Sequence, residues 1–188
     1  MHIVVIDGGS TKVINIVEML HDNQVRTTVV PLQKANAVDV NHYDAMVISG
    51  GPHLFTDKTE ADRLLADFAF VKRLKIPVLG ICLGHQGIGL QYGASVFLGE
   101  ERRNRESIRI MERHPLLKGI DDNDSVGTDH CEGISLPSGF RQLGCSLHYD
   151  VEIMASPDDR LFGVQFHPEI SGHYGQKLFR NFIELAKS

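Results

Sequence analysis

The chain has 188 residues, 42% of them hydrophobic, and a formal net charge of −5. That length and apolar content suit one compact domain spanning residues 1–188, built around its own core. The acidic balance and the lack of any extended basic run argue against a nucleic-acid partner, and no apolar run approaches the ~20 residues of a membrane span.

From the first residues the chain enters a short apolar run, His2 to Ile6, which ends in Asp7-Gly8-Gly9 and reads as a buried strand followed by a turn. A start of this kind leaves no room for a signal peptide. Val13, Ile16, Val17 and Leu20 then fall at helical spacing within residues 11–21. Val25 to Leu32 reads as the second strand, and Ala45 to Ile48 as the third, running into Ser49-Gly50-Gly51-Pro52. A helix over 59–74 should bury Leu64, Leu65, Phe68 and Val71 on one face. Ile76 to Ile81 is a strand despite Pro77. It leads into Gly80-Ile81-Cys82-Leu83-Gly84-His85-Gln86 and a helix over about 85–92. Strands alternating with helices predict an α/β fold: a mostly parallel central sheet with right-handed crossovers and helices on both faces.

The second half has a different texture. Residues 96–98, 107–111, 125–128, 140–145, 152–155 and 161–166 are short, strand-like and separated by turns. They predict added antiparallel strands. A last helix over about 175–186 carries Leu178, Phe179, Phe182 and Ile183 on one side and should pack on the sheet. Glu100-Glu101-Arg102-Arg103-Asn104-Arg105 is dense in mixed charge and reads as a solvated loop or edge. In a sheet of this kind the active site is expected at the carboxyl ends of the strands.

The chemistry concentrates at Cys82. A residue flanked by glycines two positions before and two after, at a strand-to-helix junction, has the pattern of a nucleophile elbow. The helix N-terminus beneath it favours a thiolate. A proton carrier comes much later, in Gly163-Val164-Gln165-Phe166-His167-Pro168-Glu169. His167 suits a base and acid, and Glu169 could hold its imidazole in the right tautomer, completing a nucleophile–base–orienter triad. The oxyanion formed by attack on an amide needs fixed donors. The Leu83 N–H, next to the nucleophile, is one, and Gly51 in the Gly50-Gly51-Pro52 turn is the favoured second. Cys145 lies in an apolar strand pattern and reads as core, while Cys131 stays open. Three cysteines without close spacing point away from disulfides and toward a reducing cytoplasm. The cysteines and histidines show no paired ligand spacing, so no metal is expected. His114 precedes Pro115 in a loop, and His2, His21, His42 and His148 read as surface residues. Neither a Walker pattern nor a complete dinucleotide fingerprint occurs.

Taken together and in this order, Ser49-Gly50-Gly51-Pro52, Gly80 to Gln86 and Gly163 to Glu169 resemble the class I (triad) glutamine amidotransferases over essentially the whole chain. The resemblance implies a flavodoxin-like fold and hydrolysis of glutamine through a Cys82 thioester. It also implies a substrate-binding set of Gln86, Gly50 and His130; for Gln86 the bland alternative is a capping or packing role. Within that family the Ser-Gly-Gly-Pro turn and Asp129-His130-Cys131-Glu132 through Leu136-Pro137-Ser138-Gly139-Phe140 are similar to GMP synthases. A chain of this length is similar to the free-standing glutaminase subunit of archaeal two-subunit GMP synthases. That implies a separate ATP-pyrophosphatase subunit that uses ATP and Mg²⁺ to convert XMP to GMP, with no cofactor in this chain. Asp129 stands where the family has serine, and Glu132 where it has aspartate. The segment 170–175 is shorter than usual, and Asp7-Gly8-Gly9-Ser10 lacks the usual Asn and Gln-Tyr. The alternatives are the glutaminase subunit of anthranilate or aminodeoxychorismate synthase, and cysteine peptidases or chaperones of the shared fold.

Overall fold

A computed structural model describes residues 1–122 and 124–188. The first half runs β1 (His2–Asp7), α1 (Val13–Asp22), β2 (Arg26–Pro31), 3-10 turns at Leu32–Ala37 and Val40–His42, β3 (Ala45–Ile48), α2 (Ala61–Asp67), a 3-10 segment Ala69–Arg73, β4 (Val78–Ile81) and α3 (Leu83–Gln91). Then follow β5 (Val96–Arg102), β6 (Arg105–Ser107), β7 (Arg109–Ile110), β8 (Ser125–Gly127), β9 (His130–Ile134), β10 (Arg141–Cys145), β11 (Ile153–Ala155), β12 (Leu161–Val164) and α4 (His173–Lys187).

The main sheet has eight strands in the order β2-β1-β3-β4-β12-β11-β10-β7. The first five are parallel and the last three add antiparallel pairings. Strand periodicity sorts the core into two layers. Ile3 and Val5 join Ile16 and Leu20 of α1 and Leu178, Phe179 and Phe182 of α4 on one face. Val4 and Ile6 join Leu64 of α2, Phe68, and Leu83 and Ile88 of α3 on the other. Helices therefore cover both faces, which is why β1, β3 and β4 read as unbroken apolar runs rather than alternating ones. Two small antiparallel ribbons, β5–β9 and β6–β8, stand apart from this sheet.

Four expectations need correction. The helix expected over 59–74 stops at Phe68 and tightens into the 3-10 segment. Phe68 and Phe70 are both buried and stacked 6.2 Å apart, whereas an α-helix would turn them about 200° away from each other. The same break leaves Leu65 40% exposed. The strand expected over 107–111 is two strands: β6 pairs with β8, and β7 pairs with β10, with buried Ile108 between them. Residues 130–134, read only as a motif, form β9 against β5. The helix expected from His85 begins two residues earlier, at Leu83.

Candidate active site

β4 delivers Cys82 to the carboxyl edge of the sheet, and α3 starts at the next residue. Cys82 has φ 51° and ψ −104°, a left-handed conformation that costs a non-glycine residue about 1–3 kcal/mol. The elbow glycines do not take that conformation themselves. Their role is close approach: a Cβ on Gly80 would lie 2.6 Å from the Gly84 carbonyl, and one on Gly84 would lie 2.4 Å from the Ile48 oxygen. Cys82 is held by its N–H to Val164 O (2.8 Å), and its own carbonyl accepts from Gln86 N (3.0 Å). Cys82 is only 6% accessible and is reached through a cleft. The positive end of α3 points at it.

β12, the parallel neighbour of β4, carries the chain to His167. Its Nδ1 meets Glu169 Oε1 at 2.7 Å, so Nδ1–H donates and Nε2 is the ring nitrogen left for Cys82. Glu169 sits in the 3-10 turn Pro168–Ile170 with a fully buried side chain. Ser171 Oγ donates to His167 O (2.6 Å) and accepts from Gly127 N (2.9 Å), fastening the segment to β8. Gly175 lets α4 close over it, since a Cβ there would lie 1.8 Å from Pro168 O. Burial opposes charge on the imidazole, but hydrogen bonds and charge from Cys82 and Glu169 outweigh it and raise the His167 pKa to about 10.

The turn after β3 forms the opposite wall. Ser49 Oγ accepts from Gly8 N (2.9 Å) and donates to Gly50 O (2.8 Å). A Cβ on Gly51 would lie 2.0 Å from Gly8 O, and one on Gly8 would lie 2.6 Å from Gly50 O. The turns after β1 and β3 thus interlock through bare backbone. Gly50 lies against the reacting pair: its Cβ would be 3.0 Å from His167 Cε1 and 3.4 Å from the Cys82 Cβ. Leu83 occupies the first helical position, where the N–H has no acceptor within the helix.

These walls enclose a cleft of about 380 Å³, within the range of small-molecule sites. Cys82, His167, Gln86, His130 and Gly51 line it. Gly50 and Leu83 are not on its lining, and Glu169 stands behind His167. Gln86 both lines the cleft and packs: its Nε2 donates to Gln165 Oε1 and Glu132 O, each at 3.2 Å. His130 donates from Nδ1 to Glu132 O (3.1 Å) and packs 4.6 Å from the Tyr149 ring. Burial pulls its pKa down to about 4, so it is neutral near pH 7. Cys145 is core as expected, and Cys131 lines the cleft. His114 lies in the loop before the 3-10 turn Pro115–Leu117, as expected, and is buried there as its cap, with Nδ1 accepting from Leu116 N (3.1 Å). Among the described residues no group of three or more His, Cys, Asp or Glu is placed to hold a metal ion. Nor is any helix among them long and apolar enough to cross a membrane.

Glu132 escaped the residue-level reading. Its buried carboxylate accepts from Thr56 N (2.6 Å) and Phe55 N (3.1 Å), tying the segment after the Gly-Gly-Pro turn to β9. A carboxylate between Cys131 and Gly133 in a strand was the available signal, because buried acids are paired or hydrogen-bonded. Lys12 and Asp129 also line the cleft and were not expected as site residues.

The model of the glutamine amidotransferase class I family matches residues 4–185. The glutamine-hydrolyzing GMP synthase subunit of Methanosarcina barkeri is 35% identical over 147 residues, covering 77% of this chain and 74% of that one. The corresponding protein of Archaeoglobus fulgidus is 37% identical over 147 residues, covering 77% and 76%. A crystal structure described as that of a putative GMP synthase subunit from Thermoplasma acidophilum superposes with a TM-score of 0.90 at 27% identity, covering all of this chain and 94% of that one.

Proposed function

The chain belongs to the class I glutamine amidotransferases, and from that premise we propose that it is the glutaminase subunit of a two-subunit GMP synthase. The observation that carries the chemistry is the buried line from the strained Cys82 through His167 to Glu169, with the 2.7 Å contact fixing the imidazole. The archaeal GMP synthase relatives support this branch over the chorismate-using synthases.

Cys82 attacks the side-chain amide carbon of glutamine as a thiolate while His167 is an imidazolium. The oxyanion that forms accepts hydrogen bonds from the N–H groups of Leu83 and Gly51, which are fixed before the reaction and need no reorganisation. His167 gives its Nε2 proton to the departing nitrogen, the C–N bond breaks, and ammonia leaves a glutamyl thioester on Cys82. His167, now neutral, takes a proton from water as it attacks the thioester. Glutamate leaves and the thiolate–imidazolium pair returns. Glu169 keeps Nδ1 protonated throughout and stays ionised. Ammonia passes to an ATP-pyrophosphatase subunit, where ATP and Mg²⁺ are used to aminate XMP. The reading places the chain in the cytoplasm, in keeping with three free cysteines.

The test is glutamine hydrolysis by the purified chain, alone and with a candidate ATP-pyrophosphatase subunit, XMP, ATP and Mg²⁺. Hydrolysis should be weak alone, rise with the partner, and yield GMP. Cys82→Ala should lower it by about 10⁴-fold or more, while GMP formation from added ammonium continues. Full hydrolysis by Cys82→Ala would remove the nucleophile, and hydrolysis without GMP would remove the branch.

A further inference from the structure

Amide hydrolysis uses only one end of glutamine. The other end is a zwitterion, a carboxylate and an ammonium on one carbon, and a cleft that selects it needs one charge of each sign. The cleft above Cys82 holds five formally charged side chains apart from its histidines: Lys12, Glu101, Arg103, Asp129 and Glu132. Glu132 is committed to the backbone of Phe55 and Thr56. Arg103 pairs with Glu101 at 2.7 Å and reaches Asp129 Oδ1 only at 3.9 Å, and Arg103 and Glu101 are 72% and 59% exposed, out at the mouth. Lys12 and Asp129 remain. Their side chains are 24% and 42% exposed, deeper than the Arg103–Glu101 pair and shallower than Cys82 and His167.

Lys12 Nζ and Asp129 Oδ2 meet at 2.8 Å across 117 residues of sequence. Lys12 is the residue on which α1 begins, so the positive end of that helix adds to its charge. Asp129 follows β8 and precedes β9, one residue from His130 and within the field of His167. The pair joins the loop after β1 to the loop before β9.

We propose that Lys12 and Asp129 are the residues that recognise the α-amino-acid head of the substrate: Lys12, with the α1 N-terminus, takes the α-carboxylate, and Asp129 takes the α-ammonium. In the free chain each charge stands in for the substrate group that its partner will bind, so the two neutralise each other until the zwitterion parts them. An ion pair kept only for stability would contribute little at this exposure, and its position on the cleft would have no consequence for binding. The proposal rests on the glutaminase reading above.

The test compares two reagents for the Cys82 thiol in the intact chain, with the partner protein present if turnover requires it. 6-Diazo-5-oxo-L-norleucine carries the α-amino-acid head; its diazo carbon takes a proton and forms a C–S bond as dinitrogen leaves. Iodoacetamide has no such head. Lys12→Met and Asp129→Asn should each slow labelling by the diazoketone about tenfold or more and raise KM for glutamine to match, with iodoacetamide labelling and kcat within about twofold. Lys12→Arg should retain most of the diazoketone rate. Unchanged diazoketone labelling in both variants would overturn the assignment and leave the glutaminase reading standing. A wild-type chain that iodoacetamide labels and the diazoketone does not would overturn both.

Discussion

At Cys82 the chain holds a non-glycine residue at φ 51°. Cys82 is anchored through its backbone to β12 and α3, while Glu169 holds the His167 imidazole and Ser171 holds the His167 backbone carbonyl. The charge on His167 is coupled to folding. Its pKa of about 10 in the folded chain lies above the ordinary value of 6.5. Protonation therefore contributes stability that is complete below about pH 6.5 and is lost as the pH rises through about 10. Thermal unfolding of wild type and His167→Gln across that range should show a gap in midpoint that narrows with rising pH; a constant gap would contradict the charged pair. That Cys82 sits at a strand-to-helix turn and that Glu169 holds His167 was legible in the sequence, because the flanking glycines and the His-Pro-Glu spacing are local signals. Glu132 and the Lys12–Asp129 pair were not, because a carboxylate or lysine in a loop carries no sign of what folds over it.

Among the elements, the strand–turn–helix units place the site and depend on missing side chains more than on present ones. Gly80 and Gly84 let α3 settle onto β4 and β3, and Gly8, Gly50 and Gly51 let two turns share one space. Gly84→Ala puts a methyl 2.4 Å from the backbone oxygen of Ile48, an atom that no side-chain rotation moves. It should cost about 2–3 kcal/mol in urea unfolding and shift Cys82 enough to lower turnover; an unperturbed unfolding midpoint would show that the strand yields. The parallel strands could be read because burial on both faces makes them uniformly apolar. The break at Phe68 could not, because it follows from burying both Phe68 and Phe70 against the core, and strand β9 could not, because its partners, β5 and the Tyr149 ring over Gly133, lie elsewhere along the chain.

For the molecule as a whole, the parallel strands and their antiparallel extension meet at Glu152. Its N–H donates to Gly144 O and its carbonyl accepts from Gln165 N. The carboxylate is buried, and neither oxygen has a well-formed hydrogen bond among the described residues. Burial is the main force lifting its pKa to about 7; the Ser146 hydroxyl opposes the rise and the charge of Glu106 adds to it. A carboxyl raised in this way favours the folded chain when protonated, so stability falls as the pH climbs from about 4.5 to about 7. Glu152→Gln should be close to neutral at pH 4.5 and stabilising above pH 7, by on the order of 3 kcal/mol at most, in urea titrations at the two pH values. A variant no more stable than wild type at pH 8 would show that the carboxylate is solvated. Strand order has a consequence of another kind. β12 is the last strand to be synthesised, yet it lies in the middle of the sheet between β4 and β11. A nascent chain emerging from the ribosome carries Cys82 long before it carries His167 and Glu169. On the mechanism proposed, Cys82 stays without its base until the sheet closes around the final strand, so a half-made chain destroys no glutamine and releases no ammonia.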